Sequence, residues 1–171
     1  MLDLDEPLSK QEKLRKYGSI VNDLSLGVLL FGVWSMIKSV ALVFLRPEYV
    51  IEGYERETTS FMTFFISAWA VAIVFSVPLL IRLHIYMTSR KEVLYGKKKN
   101  SHIFLSIFMI IMDLYSIYVA FVSFDDPEFE IFDSISSVFV DLSSVMILFL
   151  LVFTLFKIRK LSSDVKEAGH E

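Results

Sequence analysis

Residues Phe61–Ile81 read FMTFFISAWAVAIVFSVPLLI, 21 positions without an Asp, Glu, Lys or Arg. A surface helix of a water-soluble bundle carries a polar stripe that recurs every three to four residues, and this stretch has none. As a helix rising about 1.5 Å per residue, it spans about the 30 Å of a bilayer's hydrocarbon core. Three further windows share its character: Leu24–Leu45, Ile103–Phe124 and Ile135–Phe156. Together the four windows hold three charged side chains, Lys38, Asp113 and Asp141, although 22% of the 171 residues are charged. Segregation of that kind predicts an all-α integral membrane protein. The expected fold is four antiparallel transmembrane helices in up-down-up-down order, with spans at about residues 20–45, 61–84, 102–124 and 132–157.

The polar segments organise the rest. Residues 1–18 form an N-terminal segment in which Ser9-Lys10-Gln11-Glu12 has the S-x-x-E spacing of a capping box, predicting a short, separate helix on the membrane surface. Residues 19–160 make up the membrane domain and residues 161–171 a polar tail. The first apolar window follows an acidic start and is longer than the apolar core of a signal peptide, so it reads as a retained span.

Orientation follows from Lys and Arg. Fourteen lie in the N-terminal segment, the connection from Arg82 to Lys99 and the tail; two, Arg46 and Arg56, lie in the other two connections. By the positive-inside bias, both termini and the basic middle connection face the cytoplasm, in a membrane expected to be the plasma membrane. The run Lys97-Lys98-Lys99 sets that topology and also attracts anionic lipid.

Composition removes several chemistries. No cysteine is present, so thiol nucleophiles and thiolate metal sites are out. His84, His102 and His170 are scattered, without the spacing of a metal site. Phosphate-binding, dinucleotide and hydrolase motifs are absent, so no cofactor, metal or nucleic-acid partner is expected.

The residues out of place are therefore the candidates. A charge at the centre of a span costs about 2.5–3.5 kcal/mol, so Lys38, Asp113 and Asp141 should face the protein interior. Counted by helical rise, Asp113 falls near the midplane without a cation at its level, whereas Lys38 and Asp141 share a level and are expected to pair. Polar stripes accompany them: Ser106, Ser116 and Ser123 around Asp113, Ser137 and Ser144 around Asp141, and more loosely Ser25, Gly32, Ser35 and Ser39 on the first span. Pro78 removes a backbone donor and should kink the second span. Arg82, His84 and Tyr86 read as interfacial anchors, and Trp34 and Trp69 as packing residues.

The expected function is that of a small accessory or interaction subunit acting through lateral helix contacts, with another membrane protein or a second copy as partner. The alternative is a proton- or cation-handling transporter or channel protomer using Asp113 with a Lys38/Asp141 pair. Hydrolysis is the least supported reading. It needs a nucleophile with a base, a metal or paired carboxylates, and Asp113 and Asp141 lie at different depths with no histidine at either.

Overall fold

The computed structural model describes residues 9–45, 61–96, 98–122 and 131–168. They form four α-helices and no strand: α1 (Lys10–Leu45), α2 (Phe61–Tyr95), α3 (Ser101–Val122) and α4 (Ile131–Ala168). Each is long and apolar enough to cross a membrane. Ser123, Lys97 and both acidic connections lie outside the described residues.

The capping box forms. Ser9 N–H donates to Glu12 Oε2 at 2.8 Å and Glu12 N–H to Ser9 Oγ at 3.3 Å. The helix it opens is not a separate surface element, contrary to expectation: α1 continues through Gly18 and Asn22 to Leu45. The reason is packing. A Cβ on Gly18 would stand 3.0 Å from Val93 Cγ1 of α2, so the bare glycine lets the helices approach, offsetting the roughly 1 kcal/mol that glycine costs inside a helix. Gly18, Ser25, Gly32 and Ser39 are all buried and recur every seven residues along α1. Small residues at that interval make a continuous shallow face for close helix contact.

α2 likewise runs past its apolar window, unbroken through Pro78, and ends only at Tyr95. Gly96 stops it with φ of 65°, its N–H bonded to the Glu92 carbonyl at 2.9 Å. This left-handed cap is one that glycine adopts without a Cβ penalty. The chain then turns into α3 at Ser101. α1 packs on α2 and α4, and α3 packs on α4 and less extensively on α2.

Burial is uneven along the helices. The core consists of Val21 and Val28 of α1, Ile85 of α2, Ile103 and Met109 of α3, and Leu148, Leu151, Leu155 and Ile158 of α4. These nine lie in the half of the molecule that contains the α2–α3 turn, here the turn half; Val43 of α1, 3% exposed, is a buried apolar residue of the other half. In the opposite, distal half, no described side chain of α2 before Arg82 and none of α3 after Asp113 is buried. Trp34 and Trp69, expected to pack within the chain, are instead 53% and 61% exposed. Both stand on helices long and apolar enough to cross a membrane, and hydrocarbon solvates an indole ring about as well as a protein interior does.

Candidate functional site

Two polar nodes tie the turn half together. The deeper one centres on Arg82, which is 5% exposed. Its Nη2 donates to both carboxylate oxygens of Asp113, at 2.9 and 3.0 Å, and its Nη1 to Ser144 Oγ at 2.7 Å. Ser144 Oγ in turn donates to Asp113 Oδ2 at 2.7 Å. Three helices thus meet in a closed triangle whose charges cancel, with one guanidinium nitrogen spanning both carboxylate oxygens and the other held by Ser144.

Arg82 is therefore not the interfacial anchor expected, nor is Asp113 without a cation. The discrepancy comes from where depth is counted. Measured from the α2–α3 turn, Arg82 is 13 residues before Tyr95 and Asp113 is 12 residues after Ser101, so each stands about 18–20 Å from the turn. The edge of an apolar window was the wrong origin. Gly32 of α1 makes room for the arginine stem: a Cβ there would lie 3.0 Å from Arg82 Cδ and 3.1 Å from Leu79 Cδ1.

Next to this triangle, Ser116 Oγ of α3 donates to Asp141 Oδ2 of α4 at 2.8 Å. Asp113-Leu114-Tyr115-Ser116 and Asp141-Leu142-Ser143-Ser144 carry the same Asp-Leu-x-Ser pattern. In the structure each aspartate meets the other copy's serine, giving a reciprocal two-rung clasp between α3 and α4. Only the Asp113 rung receives an arginine.

The expected Lys38–Asp141 ion pair is replaced by a different contact. Lys38 Nζ donates to Ser137 Oγ at 2.7 Å, one turn of α4 away from Asp141. Ser116 holds the Asp141 carboxylate toward α3, while α1 meets α4 a turn further into the distal half. Ser106 is fully buried but bonds the His102 carbonyl of its own helix at 2.8 Å, so it is a packing residue. Of the predicted polar residues, Lys38, Ser137, Asp141, Ser116, Asp113 and Ser144 all make interhelix bonds.

The second node lies nearer the turn and has no local spacing by which to recognise it. Glu92 of α2, 4% exposed, accepts from Arg159 Nε at 2.6 Å and from Arg159 Nη2 at 2.8 Å, and His102 Nε2 of α3 stands 3.1 Å from Glu92 Oε2. Arg159 Nη1 also donates to Asn100 Oδ1 at 2.7 Å and Nη2 to the Lys99 carbonyl at 2.5 Å, tying α4 to the turn itself. The Arg159 and His102 contacts offset the burial of the Glu92 carboxylate. The three residues belong to three helices, so no spacing along the chain announced them.

The arrangement can fix helix register and depth by charge pairing. No protein family, curated protein or solved structure matches the chain.

Proposed function

We propose that the protein is a small multi-pass accessory or interaction subunit that engages another membrane protein through the lateral faces of its distal half. Its four helices cross the bilayer in antiparallel up-down-up-down order, with both termini in the cytoplasm and the plasma membrane as the site of action. The opposed numbering of the Arg82–Asp113, Asp113–Ser144 and Ser116–Asp141 contacts supports that order.

One observation carries the reading. Asp141 is only partly buried and Ser116 is exposed, on helix faces otherwise covered with exposed Tyr115, Tyr118 and Phe139. A carboxylate near hydrocarbon is costly unless something polar covers it, and a second transmembrane segment does so. A photo-reactive residue at Tyr118 should therefore cross-link to a stoichiometric companion in native membranes, whereas one at Met87 in the turn half should not. Recovery of the protein as a lone monomer in mild detergent, with no cross-link from Tyr118, would remove this reading.

A second reading, a proton- or cation-handling protomer, is favoured by the series Lys38, Ser137, Asp141, Ser116, Asp113 along one seam of α1, α3 and α4. In it Asp141, which lacks the arginine that occupies Asp113, is the better reversible site. Flux through liposomes that Asp141→Asn abolishes would support it.

A further inference from the structure

Apart from both nodes, α1 and α2 leave a groove of about 500 Å³ between them near the chain's basic end, lined by Arg15, Gly18 and Asn22 of α1 and by Arg90, Val93 and Leu94 of α2 among others. That volume lies within the range of small-ligand sites, about 300–1,000 Å³. None of the described lining residues is acidic. Glu12, a turn from Arg15, is occupied in capping Ser9. The floor is formed where Gly18 and Val93 bring the two helices into contact, and one wall is apolar, with Leu94 64% exposed.

Arg90 is bent toward the membrane. Its Nη1 donates to Tyr86 Oη at 2.7 Å, one helical turn closer to the apolar window, and the guanidinium lies 5.5 Å from the Tyr86 ring centroid. Val93 and Leu94 stand 11 and 12 residues beyond Arg82 on α2, so the groove lies about 16–18 Å from the level of the Arg82–Asp113 bond. With that bond near the middle of a core about 30 Å thick, the groove falls at the inner edge of the headgroup band. Tyr86 thus holds the arginine along its own helix at the membrane-side rim of the groove. Arg15 flanks the same groove from α1.

We propose that this groove is a binding site for the headgroup of an anionic phospholipid drawn from the leaflet on that side. The phosphate sits between Arg15 and Arg90, where guanidinium donors suit its oxygens, and the glycerol region lies along Val93 and Leu94. The site is separate from the diffuse attraction exerted by the lysines of the α2–α3 turn, and it rests on the membrane-embedded reading without requiring any protein partner.

The test uses the full chain, delipidated and then titrated with phosphatidylglycerol or phosphatidylcholine, with retained lipid counted by native mass spectrometry. The wild type should retain phosphatidylglycerol in preference to phosphatidylcholine. The Arg15→Gln/Arg90→Gln variant should lose that retention by about tenfold or more, and Lys98→Gln/Lys99→Gln by less than about twofold. Leu94→Glu disturbs no buried contact and adds a repelling carboxylate, so it should match the double arginine variant even if the latter folds poorly. Equal retention of the two lipids, or an equal loss in the lysine variant, overturns the site. Displacement of the bound lipid by millimolar inorganic phosphate would show a free-anion site and likewise overturn the lipid assignment.

Discussion

Between the α2–α3 turn and Asp113 the helices bury nine apolar core residues and close two charged nodes around Arg82 and Glu92. Beyond Asp113 the same helices expose Ile66, Trp69, Tyr118 and Phe139, and the described contacts between them include the hydroxyl bonds at Lys38 and Asp141, the Phe44–Phe64 ring contact and the burial of Val43. The distal half is the more apolar of the two. The turn half pairs opposite charges across helices, Arg82 with Asp113 and Arg159 with Glu92, whereas Lys38 and Asp141 in the distal half each bond a serine; in the membrane-embedded reading that difference decides where helices stay together. Apolar side chains gain little by leaving hydrocarbon for a protein interior, so packing detail and buried polar bonds take over the role that hydrophobic burial has in water.

The largest test of that contrast is to break the turn half at Arg82. Arg82→Met leaves Asp113 buried with serine alone and should cost about 3–5 kcal/mol of stability, read by denaturant unfolding in detergent. Arg82→Met combined with Asp113→Leu should recover most of the loss, because neither charge is then stranded. If the double variant is as unstable as the single one, the pair has a role beyond mutual compensation. A smaller effect compares like with like: Leu151→Ala at a fully buried site should cost about 2 kcal/mol or more, and Ile66→Ala in the distal half less than about 0.5 kcal/mol. Comparable losses would mean that the distal half is as tightly packed as the turn half.

The four helices were legible because their apolar windows are long and nearly free of charge, and the Ser9-to-Glu12 spacing marked the start of α1. Asp113, Asp141 and Lys38 stood out for the same reason. Their partners did not. Arg82 borders an apolar window, and composition places such a residue at the membrane surface; only the continuation of α2 to Tyr95 brings it level with Asp113. Glu92, His102 and Arg159 look like ordinary polar flanks until three helices are folded together. The repeated Asp-Leu-x-Ser was visible, but four residues are too few to interpret without the register that pairs one copy with the other.

In the membrane-embedded reading proposed above, the Arg82–Asp113 bond also bears on how the chain is inserted. The two residues sit on helices joined by only the five residues 96–100. A lone arginine or a lone aspartate would resist insertion, but a hairpin that delivers both at one depth arrives already neutralised. α2 and α3 are thereby suited to partition as a single unit during synthesis, with α4 completing the triangle through Ser144 once it follows from the ribosome.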